Sequence, residues 1–160
     1  MPARRALPDS HHIVRYIPPS KRFVDPNGER QGPSLAGFEL RDDDRGGLSV
    51  TEIEYFGPMS DAARQAAAIA FRESLDSKKL SANGIFARSR IGTVKAAALN
   101  YGKQVRIVHD PKPKNLGHAQ IRRFTDEDLD LLEHFAHEVF QEYEVVADMR
   151  LPPRPPSAVN

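Results

Sequence analysis

At 160 residues, 39% hydrophobic and 28% charged with a net charge of +1, the chain has the size and composition of one ordinary soluble domain. It has no cysteine, which excludes a disulfide framework, a thiolate nucleophile and a sulfur-ligated zinc site. No stretch approaches the roughly 20 apolar residues of a membrane span, and Met1-Pro-Ala-Arg-Arg-Ala-Leu-Pro lacks the apolar run of a signal peptide, so no membrane contact and a cytoplasmic location are expected.

Residues 1–10 show no periodicity and read as a flexible N-terminal tail. His12–Ile17 is rich in strand formers and stops at Pro18-Pro19, which reads as a first strand. Ser20–Leu35, with turn clusters at Asp25-Pro-Asn-Gly and Gln31-Gly-Pro-Ser, reads as a loop. Gly37–Arg41 is expected to be a short strand and Asp42–Gly47 an acidic turn. Leu48–Phe56 alternates and predicts a strand, but Leu48 and Val50 fall opposite Ile53 and Tyr55, which leaves its buried face open.

After Gly57-Pro58, Ser60 is placed to cap a helix to about Leu75, with Ala63, Ala67, Ala70 and Phe71 in its apolar stripe. Gly84–Ile91 reads as a strand. Thr93 is expected to cap a short helix, Val94–Leu99, closed by Asn100-Tyr-Gly102. Val105–His109 reads as a strand, His109–His118 as a loop and Ala119–Phe124 as an edge strand. Thr125 is expected to open a helix from Asp126 to about Glu142, with three acids in its first turn. Residues 149–160 read as a proline-rich C-terminal tail, leaving 11–148 as a single α+β domain. Its expected core is a mainly antiparallel sheet of about five to six strands with two or three packed helices.

Charge is segregated along the chain. Residues 72–123 hold twelve Lys and Arg against Glu73, Asp76 and Asp110, whereas 124–148 hold nine acids and no Lys or Arg. Two solvated faces that attract each other across the fold are the first expectation. A basic surface for nucleic acid, or an acidic helix for a protein partner, are the alternatives.

The segment from His109 to His118 carries the best candidate chemistry. A strand delivers His109 and Asp110 to its end, and a proline-bent loop brings round Asn115 and His118. His109 and His118 suit general acid–base work, and the same residues also suit plain turn geometry. Arg15 on the first strand suits a phosphate or carboxylate fork. The expected site has His109, His118 and Arg15 as catalytic residues, with Asn115, Ser49 and Asp110 binding ligand; no metal set is expected and no cofactor is indicated. Weaker candidates are His134 with His137, one helical turn apart, and Arg88, Arg90 and Lys95 around Gly92-Thr93.

Three blocks, His12-Ile-Val-Arg-Tyr16, Leu48-Ser-Val-Thr-Glu-Ile-Glu-Tyr-Phe56 and His109-Asp-Pro-Lys-Pro-Lys-Asn-Leu-Gly-His-Ala119, together resemble a family of small uncharacterised bacterial proteins. The resemblance spans most of residues 12–140, implies a compact soluble bacterial protein and brings no activity with it. A fainter likeness is to ADP-ribosyltransferase-type folds, in which an Arg on the first strand, a Gly-Phe turn and a Ser-bearing strand hold NAD. Arg15, Gly37-Phe38 and Ser49 occur in that order, without the Ser-Thr-Ser pattern of that family. The expected role is an accessory or interaction protein, of antitoxin or defence-partner type. The alternatives are an enzyme acting on a phosphate-containing or nucleotide substrate, and a nucleic-acid binder using residues 72–123.

Overall fold

The computed structural model describes residues 5–40, 47–75 and 80–154. Its strands are β1 (His12–Ile17), β2 (Arg22–Val24), β3 (Arg30–Pro33), β4 (Gly47–Glu52), β5 (Ile85–Arg90), β6 (Arg106–His109), β7 (His118–Arg122) and β8 (Glu142–Val145). The helices are α1 (Asp61–Glu73), α2 (Ile91–Leu99), α3 (Leu129–His134) and α4 (Val146–Met149). Six strands form one sheet in the order β6-β7-β4-β1-β5-β8, each neighbouring pair antiparallel, and β2 pairs with β3 in a separate hairpin. The fold is α+β with a mainly antiparallel sheet, as expected.

Alternate residues of a strand face opposite sides of a sheet, and here the two sides feed two cores. Ile13 and Ile17 of β1, Leu48 and Val50 of β4, Ile85 and Ala87 of β5 and Ala119 and Ile121 of β7 enter the larger core. There they meet α2 and α3 through Ile91, Val94, Leu131 and Leu132, and the turn after α3 through Phe135. Val14 and Phe86, one residue out of step, face the other side and pack on Ala63, Ala67 and Ala68 of α1. Ser60 caps α1 as expected, its side chain accepting from the Ala63 N–H at 3.1 Å. No helix among the described residues is long and apolar enough to cross a membrane.

Several expectations are corrected. The stretch 20–35 is not all loop, since it contains the β2–β3 hairpin. Leu35–Phe38 is a single 3₁₀ turn rather than the start of a strand, and Arg41 to Gly46 lie outside the described residues. A Cβ at Gly37 would come within 2.8 Å of Ile17 Cδ1, so the turn lies close against β1, and Phe38 beside it is fully buried. Strand β4 ends at Glu52: Ile53 N–H still donates to the His12 carbonyl across the pairing with β1, and Glu54–Phe56 then forms a 3₁₀ turn. Helix α2 starts at Ile91 without a Thr93 cap. The carbonyls of His11 and Asp9 accept from Ile91 and Gly92 instead.

Strand β7 is interior, between β6 and β4, rather than an edge. The last long helix is shorter than expected at both ends. Asp126 is drawn away to the Leu40 N–H (2.6 Å) and Asp128 accepts from Thr125 N–H (2.7 Å), so the helix starts at Leu129. It continues as a π turn, Phe135–Val139, which brings Phe135 and Phe140 together onto Phe38, and then gives way to β8.

The described tail residues are part of the fold. Arg5 and Ala6 bond along the outer edge of β6, and Leu7 is only 4% exposed. An uncovered sheet edge invites pairing with other chains, and this segment closes it. Leu151 packs on the smaller core, and Arg72 donates to the Pro152 carbonyl at 2.6 Å. Leu7→Ala is expected to lower unfolding free energy by about 2–4 kcal/mol in a urea titration. A change near zero would mean a loose tail.

Burial opposes the charge of Asp128, but the Thr125 N–H and the Lys103 ammonium at 3.2 Å hold its pKa below the ordinary aspartate value. With the folded pKa the lower one, the pairing contributes above the unfolded pKa and is lost as pH falls through the folded value. Asp128→Asn is therefore expected to flatten the fall in stability below about pH 4. Urea midpoints measured across that range would reveal an unchanged slope if the pairing contributes nothing.

Candidate functional site

On the second face of the sheet, α1 packs with Val14 of β1, Phe86 of β5 and Ile53 just beyond β4. On β4 and β7 that face stays polar, and pairing decides which groups meet. Ser49 lies opposite Gln120 and Thr51 opposite His118, so four polar side chains share one patch. The C-terminal end of α1, with Phe71, Ser74 and Leu75, walls one side. Lys112, Pro113 and Lys114, at the tip of the β6–β7 hairpin, wall another. Together with Arg15 and Tyr16 they line a cleft of about 630 Å³, a size suited to a small organic ligand.

His118 is 9% exposed and firmly oriented. Its Nδ1 lies 2.8 Å from the Asp110 carbonyl oxygen and 3.4 Å from Asp110 Oδ2. In the neutral ring the Nδ1–H donates to that carbonyl, which puts the lone pair on Nε2. The Asp110 N–H donates back to the His118 carbonyl at 2.8 Å, so the two residues lock the base of the hairpin. The Asp110 carboxylate also faces the Lys112 ammonium at 3.6 Å.

Asn115 is 1% exposed and holds the hairpin tip in place. Its Nδ2 donates to Thr51 Oγ1 at 2.9 Å and its Oδ1 accepts from Gly117 N–H at 3.2 Å. Its own N–H and C=O bond to Lys112, both at 3.0 Å. Asn115 is thus a positioning residue, outside the cleft lining. Gly117 is required here, since a Cβ would come within 2.7 Å of the Phe56 ring.

Arg15 lines the cleft, but its chemistry differs from the expected phosphate fork. Strands β1 and β4 are in register only at Ile13 with Glu52 and Val14 with Thr51. Beyond that point they part, and the guanidinium bridges the gap. Nε donates to the Gly37 carbonyl and Nη1 to the Ser49 carbonyl, each at 2.6 Å. Ser49 therefore serves the site through its main chain as well as by its position in the cleft wall.

His109 does not join the others. Its Cα partner is Ala119, so it points to the face opposite His118. There its ring stacks on Tyr55 at 5.7 Å and Nε2 lies 2.7 Å from the Leu116 carbonyl oxygen. The structure thus brings Arg15, Ser49 and His118 to one cleft, places Asp110 and Asn115 directly behind it and separates His109.

The weaker candidates are occupied elsewhere. His134 packs on Tyr101 at 5.3 Å and His137 on Phe23 at 5.4 Å. Arg88 pairs with Glu144 and Glu142, while Arg90 and Lys95 both reach Asp9. At the start of β1, His11 meets buried Glu52 at 2.5 Å and His12 meets Glu54 at 2.7 Å, tying β1 to the end of β4. No group of three or more His, Asp or Glu side chains suited to a metal occurs among the described residues.

Sequence reasoning missed Thr51, Gln120 and the two hairpin lysines as cleft residues. The alternation His118-Ala-Gln120-Ile was a usable signal for a polar face. Which strand would lie beside it was not readable. No family model, curated protein or solved structure matches the chain.

Arg15→Lys is expected to cost about 1.5–3 kcal/mol, because an ammonium cannot reproduce two divergent guanidinium donations to buried carbonyls. Denaturant unfolding measures the loss. A stability equal to wild type would return Arg15 to the role of a ligand-binding cation.

Proposed function

We propose that the protein takes a phosphate-bearing substrate in the cleft between α1 and strands β4 and β7, with His118 as the proton-transfer group. One observation carries this reading. Lys112, Lys114 and His118 line the cleft together with Ser49, Thr51 and Gln120, and among the described residues the carboxylate nearest these cations, Asp110, stands behind the lining rather than in it. Cations grouped against a low-dielectric wall favour an anion, and lysines bind phosphate as point charges. Behind the ring, Asp110 fixes the His118 tautomer, an arrangement that suits a general acid or base.

The basic segment as a nucleic-acid surface has less in its favour. Arg72, Arg88, Lys95 and Lys103 are each paired with a carboxylate, and those partners lie on different elements.

Calorimetric titration with pyrophosphate and simple phosphate esters at low salt tests the proposal. Binding is expected, weakened about tenfold or more in the Lys112→Ala, Lys114→Ala double variant. Binding is expected to persist in His118→Gln, while any turnover of an ester disappears. Absence of phosphate binding to the wild-type chain would refute it. The half-exposed Tyr55 and Leu116 beside His109 would then favour the accessory-protein reading, through docking on that face.

A further inference from the structure

The cleft has two chemically different ends, and their separation points to the kind of phosphate compound it takes. Resting on the reading of the cleft as a phosphate site, we propose that the bound compound is a nucleoside phosphate. Its base lies against Tyr16 and Phe71, and its phosphate at Lys112 and Lys114.

Tyr16 of β1, Phe71 of α1 and Phe86 of β5 all line the cleft. They form one aromatic cluster: Tyr16 and Phe71 stack at 5.5 Å with 30° between planes, and Phe86 lies 5.4 Å from Tyr16 and 5.9 Å from Phe71. Phe86 is 3% exposed and acts as a floor, while Tyr16 and Phe71 are half-buried. Tyr16 is held from behind, because its hydroxyl accepts from the Ser81 N–H at 3.0 Å. A fixed aromatic wall of this kind stacks a flat heteroaromatic ring, whichever base it is.

The lysines stand at the other end. Strand β7, which closes their hairpin, lies two places from β1 across β4, about 10 Å at the usual strand spacing. A nucleoside monophosphate reaches about that far from base to phosphate. Between the two ends the floor is polar, with Ser49 opposite Gln120 and Thr51 opposite His118. Hydroxyls and an amide there match a sugar. An alkyl chain would be laid across the same groups without hydrogen bonds, which disfavours a lipid phosphate.

The test compares four probes on the full chain by calorimetry: adenosine monophosphate, uridine monophosphate, ribose 5-phosphate and octyl phosphate. Both nucleotides are expected to bind about tenfold or more tightly than ribose 5-phosphate, the increment that base stacking on an aromatic side chain supplies. Phe71→Leu, checked for an unchanged melting transition, is expected to remove that increment and leave ribose 5-phosphate binding as it was. The comparison in the wild-type chain stands even if that variant fails to fold. Equal binding of ribose 5-phosphate and the nucleotides, or tighter binding of octyl phosphate, would overturn the assignment while the phosphate reading survived. If none of the four bound, both would fall. A short oligonucleotide that bound more tightly than the mononucleotides, with the same loss in Phe71→Leu, would support the assignment and mark a strand as the source. No gain would support it with the free compound as the source.

Discussion

A six-stranded sheet has two faces to cover, and this chain has enough helix for one of them and part of the other. Helices α2 and α3, with the aromatic turn around Phe38, fill the first face. The second is left to α1, whose 13 residues span about 20 Å. Its small residues, Ala63, Ala67 and Ala68, bring its axis close over Val14 and Phe86. A large apolar surface left exposed beside the helix would be an interaction site or an aggregation liability. Here the surface is polar, in Ser49, Thr51, His118 and Gln120, and it forms the floor of the cleft. The cleft thus lies where the polar strip of β4 and β7 meets the C-terminal end of α1.

That floor is held by the hairpin between β6 and β7. Most of the polar residues in that hairpin serve to fix it. Asn115 bonds to Thr51 and Gly117, and the Asp110 and His118 main chains close the ladder. Buried polar groups satisfied in this way specify one geometry, and the outcome is a lysine-bearing tip held at the cleft's margin. Arg15 acts similarly where β1 and β4 separate, by replacing lost ladder bonds with guanidinium donations to Gly37 and Ser49. The residue types that suggested chemistry in the sequence therefore divide between those that face the cleft and those that shape it.

The sequence carried the elements whose signals are local. Ser60 before an alanine stripe marked α1, and the runs His12–Ile17 and Gly84–Ile91 marked β1 and β5 to within a residue or so. What it did not carry depends on partners far along the chain. Leu7 has no local pattern, and is ordered because β6 offers an open edge and the larger core accepts its side chain. Asp126 and Asp128 resemble a helix start, yet Leu40 and Thr125 take them first. Glu142–Val145 continues a helical-looking run, but the π turn reorients the chain and β5 offers a ladder with Arg88 poised for Glu142 and Glu144. That last contact also joins the basic and acidic segments, as does Lys103 with Asp128, so two of the basic segment's cations pair across the fold with the acidic one.

The two histidines show most plainly how register governs function. His109 and His118 are near neighbours around one hairpin, and either could be an acid–base group by residue type. Because side chains alternate, the parity of the pairing sends them to opposite faces. His118, opposite Thr51, is delivered to the cleft with Asp110 behind it. His109, opposite Ala119, is delivered to Tyr55 and the Leu116 carbonyl. A one-residue shift in the β6–β7 ladder would exchange every inward and outward side chain of β7. The closed ring of bonds through Asp110, Lys112, Asn115 and His118 opposes that shift, so the same contacts that fix the turn also select which imidazole can meet a ligand.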